Sequence, residues 1–225
     1  MKRLFVFAGT VLMLGTAAAF DLNNAQPGVQ FSTQKPDELR EALFTDAKPV
    51  KKLFVPGKKN AIVKTFIEIN PKHELVIKPE NGDKEAKFAI RLNIPKMEKF
   101  QLSFSIKADS FFARNKSDRK QYNRMSIYAG GVNLMLRGDT RDLRYFDGTA
   151  KKYVRGAVTK NGEWLDVTID AICGAAPKFS FNGKTDILQR GKCENVRVIA
   201  MSGEFLLAKP DTVITIKNLK ITPLP

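Results

Sequence analysis

Hydrophobic and polar residues alternate with a period of two along most of the chain after Asn60. Successive side chains of a β-strand point to opposite faces of the sheet, so the alternation predicts strands with one apolar and one polar face. About a dozen such segments, from AIVKTFIEIN to TVITIKNLKI, are separated by Pro, Gly, Asn and Asp. The sequence therefore predicts an all-β fold, a two-sheet antiparallel β-sandwich.

The same alternation predicts which side chains form the core of the sandwich. In each strand the apolar set points inward and the intervening polar set faces outward. The residues predicted to point inward are Phe88, Ile90, Leu92, Ile94, Phe100, Leu102, Phe104, Ile106, Met125, Ile127, Ala129, Val132, Leu134, Leu136, Leu165, Val167, Ile169 and Ala171.

The chain before Asn60 has a different pattern. Residues 36–44, PDELREALF, carry acids in a first helical turn and place Leu39, Leu43 and Phe44 on one side, which is typical of a short amphipathic helix. The sequence thus predicts an N-terminal extension over 20–59 with a short helix, followed by the sandwich domain over 60–225.

The segment 1–19 has the three parts of a secretory signal peptide. Lys2 and Arg3 precede the apolar run 4–15, and the small residues 16–19 form a cleavage site. The apolar run is shorter than the roughly 20 residues that cross a bilayer, which argues against a transmembrane anchor. We therefore expect an exported protein that begins near Phe20 and resides in the periplasm, at the cell surface or outside the cell.

The chain is strongly basic, and the charge is concentrated in its middle. The formal net charge is +15, or +13 once Lys2 and Arg3 are removed. Between Lys107 and Lys160, thirteen basic residues face five acids, which gives this segment an excess of eight positive charges. Such a field attracts anionic partners. Export argues against nucleic acid and favours an acidic polysaccharide, lipopolysaccharide or an anionic membrane surface; the alternative is that the lysines only keep the protein soluble.

Two cysteines, Cys173 and Cys193, remain after signal cleavage. Two cysteines of an exported chain most often pair, so the sequence predicts a structural disulfide. The alternatives are a metal-binding pair and a catalytic thiol. Neither is supported by the spacing, because there is no CxxC motif and the single histidine, His73, is distant in sequence.

A family resemblance is carried by the last third of the chain. A Gly-x-Trp precedes an alternating strand, a turn, an aromatic strand ending in Asn-Gly, and the strand VITIKNLKIT. This arrangement resembles the C-terminal half of a concanavalin A-like jelly roll, the lectin and glucanase superfamily that includes laminin G-like domains. The residues that carry the resemblance are Trp164, Phe179, Phe181, Asn182, Gly183, Asn218 and Leu219.

The resemblance implies a fold that hosts lectins, sugar-binding modules, glycoside hydrolases and polysaccharide lyases. It also implies a structural role for the strand that follows Trp164, and a turn at Asn182-Gly183 where both residues adopt positive φ. The Glu-x-Asp-x-(x)-Glu run of the hydrolases that use paired carboxylates is absent from this sequence. Fold by itself does not decide function.

Few residues suggest catalysis. Asp166 and Asp170 share a strand face, but a spacing of four residues places them about 13 Å apart, which is too far for a glycosidase pair without help from another strand. A lyase would need a base such as Tyr128 or His73 beside arginines that neutralise a uronate. No nucleophile-elbow motif is present. We therefore predict no catalytic residues, with a hydrolase or lyase of this fold as the alternative.

The sequence predicts no cofactor, and a structural calcium ion is the alternative. The segments KSDRKQYN and RGDTRDLRYFDG contain oxygen ligands of the calcium type, yet their arginines and lysines raise the electrostatic cost of binding a dication.

The tripeptide Arg137-Gly138-Asp139 matches a three-residue adhesion motif. A Gly-Asp pair is, however, also common in the turn at the end of a strand.

Glycan binding remains as the predicted function. Aromatic faces stack on the C–H surfaces of sugars, and arginine forks bind their anionic groups. We predict that one outer sheet face binds a polysaccharide, with a preference for anionic chains. The alternative is a structural envelope protein whose outer face is covered by residues 20–59 or by another subunit. The predicted binding residues are Arg124, Tyr128, Arg137, Arg144, Trp164 and Asp166.

Overall fold

The computed structural model describes residues 20–25, 30–31, 62–83, 86–118, 120–188 and 192–225. Within these ranges sixteen strands form two antiparallel sheets, and the only helices are two short 3-10 turns, Leu22–Asn24 and Glu80–Gly82. The predicted two-sheet antiparallel sandwich is confirmed. The predicted signal peptide and the predicted helix over 36–44 lie outside the described residues.

The nine-stranded sheet has the order β14 (Lys184–Leu188), β13 (Lys178–Phe181), β12 (Leu165–Ile172), β7 (Lys99–Asp109), β16 (Val213–Pro223), β5 (Leu75–Pro79), β4 (Thr65–Ile69) and β2 (Gln30–Phe31), and β1 (Phe20–Asp21) also pairs with β16. The seven-stranded sheet has the order β11 (Lys152–Val158), β10 (Asp142–Asp147), β9 (Val132–Arg137), β8 (Arg124–Ala129), β15 (Val196–Phe205), β6 (Ala86–Met97) and β3 (Ile62–Val63).

The core lies between the two sheets and includes the residues that the alternation predicts to point inward, all of which are buried. Strands β7 and β12 show the pattern most clearly, because their apolar residues pack inward while their polar partners line the outer face. Tyr145 of β10 stacks on Phe179 of β13 at 5.1 Å between ring centroids, which joins the two sheets by one aromatic contact.

The predicted turn at Asn182-Gly183 is confirmed. It is the two-residue connection between β13 and β14, and its φ angles are 49° and 75°. A hairpin turn of this kind needs positive φ at both central residues, which Asn and Gly adopt most readily. Asn182 has a second role, because its side-chain oxygen accepts a hydrogen bond from the Asp166 N–H at 2.9 Å.

The predicted disulfide is not formed in the structure, where Cys173 and Cys193 are free thiols. The two residues nevertheless face each other across an isolated parallel bridge. Cys193 is buried, as expected for a bridge, but Cys173 is exposed because β12 ends at Ile172 and the inward alternation ends with it. Burial raises the pKa of the Cys193 thiol to about 11, and the neighbouring Cys173 adds to the effect.

The first described residues belong to the sandwich. Phe20, at which the sequence predicts that the mature chain begins, pairs with Ile221 of β16. The side chains of Phe20, Leu22 and Ala25 are buried in the core. Among the described residues, no helix has the length and apolar character needed to span a membrane.

Candidate functional site

A shallow groove of about 410 Å³ lies on the outer face of the seven-stranded sheet. Its floor is a row of small residues on three adjacent strands, because Ala89 of β6 pairs with Ser202 of β15, and Ser202 pairs with Ser126 of β8. Met135 of β9 continues the row. Small side chains leave room above the sheet, so the groove is a consequence of these residue types meeting in one register.

An ion-pair cluster forms one side of the groove. Glu204 of β15 accepts a hydrogen bond from Arg124 at 2.6 Å and lies 2.9 Å from the ammonium group of Lys87. Burial opposes ionisation of Glu204, but the hydrogen bonds from Lys87 and Arg124 outweigh it and hold the pKa of the carboxyl below its usual range. The cluster therefore presents two cations around one ionised carboxylate beside the groove.

Tyr128 lies on the same outer face, two residues along β8 from the groove floor, and is 39% exposed. Its partner on β9 is Asn133, whose amide donates a hydrogen bond to the Tyr153 hydroxyl at 2.9 Å. The Asn133 side-chain oxygen is buried and has no hydrogen-bond partner among the described residues. This row supplies one exposed aromatic ring next to polar groups, the combination that sugars require.

Arg137 and Arg144 lie on the same face as Tyr128, and each binds a carboxylate through two of its nitrogens. Arg137 binds Asp139 through two nitrogens at 3.0 and 2.8 Å, and its guanidinium lies 4.4 Å from the Tyr122 ring centre. Arg144 binds Asp142 through two nitrogens in the same way. Both arginines therefore organise the sheet surface beside the groove.

Trp164 and Asp166 lie on the other side of the molecule. Trp164 has the ammonium groups of Lys107 and Lys217 at 5.4 and 4.0 Å from its ring, on the outer face of the nine-stranded sheet. Asp166 of β12 accepts a hydrogen bond from the Ser105 hydroxyl at 2.6 Å on that face. The expectation that all six predicted residues share one sheet face is wrong, because alternation fixes the side of a strand but not the sheet that the strand joins.

The groups considered for catalysis are dispersed in the same way. Asp170 accepts a hydrogen bond from Gln101 at 2.8 Å on the face of the nine-stranded sheet. His73 lies in the turn between β4 and β5, where its Nδ1 is 2.9 Å from the Ala25 carbonyl oxygen. The structure thus separates His73 from Tyr128 by placing them on different sheets.

The segments with calcium-type oxygens use those oxygens locally. Asp139 binds Arg137, and Asp147 accepts hydrogen bonds from the backbone N–H groups of Thr149 and Ala150, both at 2.9 Å. Within the described residues no group of three or more His, Cys, Asp or Glu side chains could hold a metal ion.

Asp142 is the most buried of these carboxylates, with 0% of its side chain exposed. Thr140, Arg144 and Arg155 all donate hydrogen bonds to it. Burial raises the pKa of Asp142, but these hydrogen bonds together outweigh burial, and the net shift of the pKa is downward. The ionised Asp142 therefore ties the turn before β10 to β11.

We expect the substitution Asp142→Asn to lower the free energy of unfolding by about 2 kcal/mol at pH 7, because Arg144 and Arg155 lose their counterion. This expected loss is smaller than that for breaking a fully buried ion pair, since Arg155 is largely exposed. Urea unfolding measures the effect. Glu163→Gln, which breaks an exposed pair with Lys160, is the control and is expected to change stability by less than about 0.5 kcal/mol.

The Asp142 contribution has a defined pH dependence. Because the folded pKa is lowered, the stabilisation is complete above the unfolded value of about 3.9 and is lost as pH falls through the folded pKa. The difference between the parent protein and Asp142→Asn is therefore expected to stay constant from pH 7 to about 5 and to shrink below about 4. A difference that grows on acidification would contradict this assignment.

Sequence reasoning missed the groove itself. Its Lys87, Ser126, Ser202 and Glu204 all lie at outward positions of alternating strands, which is the one sequence signal they carry. They come from three strands that are well separated along the chain, so only the pairing of β15 with both β6 and β8 brings them together.

No protein-family model matches the chain, and no curated protein matches it either. Among solved structures, the fold is similar to the carbohydrate recognition domain of Emp46p in its potassium-bound form, with a TM-score of 0.55, 10% identity, and coverage of 94% of this chain and 100% of that one. It is also similar to a sialidase, with a TM-score of 0.54 and 14% identity over 72% of this chain.

The chain spans only 16% of the length of that sialidase. At identities this low, the likeness concerns the fold. The likeness shows that the chain has a two-sheet sandwich fold of the jelly-roll type, and that its structural neighbours include lectin-like domains.

Proposed function

We propose that the protein binds a glycan, without chemical conversion, in the groove on the outer face of the seven-stranded sheet. The observation that carries the proposal is the small-residue floor of Ala89, Ser126 and Ser202 beside an exposed Tyr128. The tyrosine ring stacks on a sugar face, and the serine hydroxyls and Glu204 exchange hydrogen bonds with sugar hydroxyls. The similar fold of a domain named for carbohydrate recognition supports the proposal.

We propose that the protein is exported and that its ligand is an anionic polysaccharide outside the cytoplasm. Lys87 and Arg124 border the groove and exceed the charge of Glu204 by one. The excess of eight positive charges between Lys107 and Lys160 adds a wider attractive field. Attraction of this kind acts over about 10 Å at about 0.1 M salt and weakens as salt rises.

Filling the groove tests its use directly. Ser126→Trp is expected to abolish glycan binding, because the indole occupies the space above the floor. Tyr128→Ala is expected to weaken binding about tenfold through the loss of one stacking contact. Thr168→Trp, at an outward position of β12 on the opposite sheet, is the matched control and is expected to bind as the parent does.

The measurement is a glycan array at low and high salt, followed by titration calorimetry on the strongest ligands. Enrichment of acidic glycans that weakens with salt supports the anionic preference. Enrichment of neutral glycans, unaffected by salt, would leave groove binding intact but reject that preference. Binding that survives Ser126→Trp would reject the groove itself.

We also propose that Cys173 and Cys193 form a disulfide when the protein reaches an oxidising compartment. Support comes from their pairing across the isolated bridge. The Cys193 N–H donates to the Ala175 carbonyl at 2.8 Å and the Gly174 N–H to the Cys193 carbonyl at 2.9 Å, so the backbone already holds the two segments together. Pairing of this kind brings Cα atoms to about 5 Å from each other, a separation that a disulfide spans.

A further inference from the structure

An apolar groove of about 650 Å³ lies at one end of the sandwich, away from the proposed glycan site. The end of β6 contributes Pro95 and Met97 to its lining, and the end of β16 and the residue after it contribute Pro223 and Leu224. These residues come from both sheets, so the groove belongs to the edge where the sandwich opens to solvent.

An exposed apolar side chain extends this surface. Ile172 at the end of β12 is 48% exposed and pairs with Lys99 of β7. The Leu224 N–H donates a hydrogen bond to the Lys99 carbonyl at 3.2 Å. Ile172 of β12, Lys99 of β7 and Leu224, the residue after β16, thus follow one another, and Ile172 extends the apolar lining onto the outer face of the nine-stranded sheet.

Basic side chains surround the apolar residues. Lys96 and Lys99 line the groove itself. Lys192 is exposed and directly precedes Cys193. This segment lies at the same end of the sandwich, because Cys193 pairs with Cys173, and the Cys173 N–H donates a hydrogen bond to the Glu98 carbonyl at 2.6 Å. Glu98, 3.8 Å from the Lys96 ammonium, offsets part of this charge. Three lysines face two acids at the rim, Glu98 and the exposed Glu194, so an excess of one positive charge borders the apolar centre.

The direction of β1 places the N-terminal side of the chain at this same end. Phe20 pairs with Ile221 and Asp21 with Lys220 in antiparallel register. Ile221, the partner of Phe20, is two residues from Pro223, so β1 begins beside the groove lining.

We propose that this end of the sandwich docks on an anionic lipid bilayer surface. The side chains of Ile172, Pro95 and Leu224 enter the boundary between headgroups and acyl chains, and Lys96 and Lys99 lie at the level of the lipid phosphates. Apolar insertion combined with basic side chains is the usual chemistry of interfacial membrane binding. The surface does not overlap the glycan groove, so either assignment can fail without the other.

The test uses the protein purified as cells export it, with its N-terminus determined by mass spectrometry, and vesicles of equal parts phosphatidylglycerol and phosphatidylcholine. The parent protein is expected to sediment with these vesicles and to bind pure phosphatidylcholine vesicles much more weakly. The double variant Ile172→Asp/Leu224→Asp is expected to bind at least about tenfold more weakly, because it adds two negative charges and removes apolar area. Lys96→Gln and Lys99→Gln are each expected to weaken binding about fivefold.

Val158→Asp is the matched control. Val158 is an exposed apolar residue at 63%, but it pairs with Asp142 at the far end of the seven-stranded sheet. It is expected to bind vesicles as the parent does, and thermal unfolding of every variant checks that the fold is retained. Equal vesicle binding by the parent and the double variant would overturn the proposal. A loss of vesicle binding in Val158→Asp as large as that in the double variant would also overturn it. Reversible dimerisation abolished by the double variant, without vesicle binding, would overturn it too and would identify a second copy of the chain as the partner.

Discussion

Replacement of Phe179 by alanine is expected to lower the free energy of unfolding by about 3 to 5 kcal/mol, the largest effect we predict for a single side chain. Phe179 is fully buried and contacts aromatic rings on both sides of the core. It stacks on Tyr145 of the opposite sheet at 5.1 Å, and its ring centre lies 6.2 Å from that of Phe181 on its own strand. Alanine leaves a cavity at a point where the two sheets meet, and rigid sheets cannot collapse to fill it.

Urea unfolding followed by tryptophan fluorescence measures this change. The control is Phe146→Ala, whose ring is half-buried on the outer face and contacts Tyr153 edge-on at 5.4 Å. Phe146→Ala removes less buried apolar area than Phe179→Ala, so we expect its free energy of unfolding to fall by only about 1 kcal/mol. A similar loss for both variants would mean that the Tyr145 stack does not hold the sheets together. Since domains are stable by only about 5 to 15 kcal/mol, Phe179→Ala is also expected to lower the yield of folded protein.

Reduction of the proposed disulfide is expected to cost roughly 3 kcal/mol of stability. The bond would close the loop between Cys173 and Cys193, and the estimate follows from the entropy of that loop in the unfolded chain. The loop contains β13, with Phe179 and Phe181, so the bond would constrain the segment that carries the inter-sheet stack. The measurement is the unfolding midpoint, with and without reductant, of protein recovered from an oxidising compartment.

The variant Cys173→Ser/Cys193→Ser provides the control, since reductant should not change its midpoint. Its stability is expected to match that of the reduced parent. Two free thiols counted after denaturation of the protein from the oxidising compartment, before any reductant is added, would reject the disulfide. Because the pKa of the Cys193 thiol is raised to about 11, this thiol is mostly protonated near neutral pH in the reduced protein, and we expect it to attack an added small-molecule disulfide slowly.

Much of the fold could be predicted from local pattern. The inward residues of β7, Phe100, Leu102, Phe104 and Ile106, follow from alternation alone, and all four are buried. The Asn182-Gly183 turn was equally predictable, because its requirement for positive φ is a property of two residues. These features depend on backbone geometry over a few consecutive residues, so the types of those residues are enough to predict them.

The candidate site could not be predicted in the same way. Tyr128 and Arg124 were identified because exposed aromatic and basic side chains stand out on a strand, but Trp164 was grouped with them although it lies on the opposite sheet. Glu204 was not selected, since a lone acid near the end of a strand has no distinctive pattern. Its role depends on Lys87 and Arg124, which reach it from strands on either side.

The sequence by itself determined that the chain forms alternating strands, which side of each strand is apolar, and where the hairpin between β13 and β14 turns. Only the tertiary structure decided that β15 lies between β6 and β8, that the binding candidates divide between two outer faces, and that Phe20 pairs beside Ile221. The reason is physical. Alternation arises within one strand, whereas sheet order depends on backbone hydrogen bonds between segments that are distant in sequence and share the same apolar pattern.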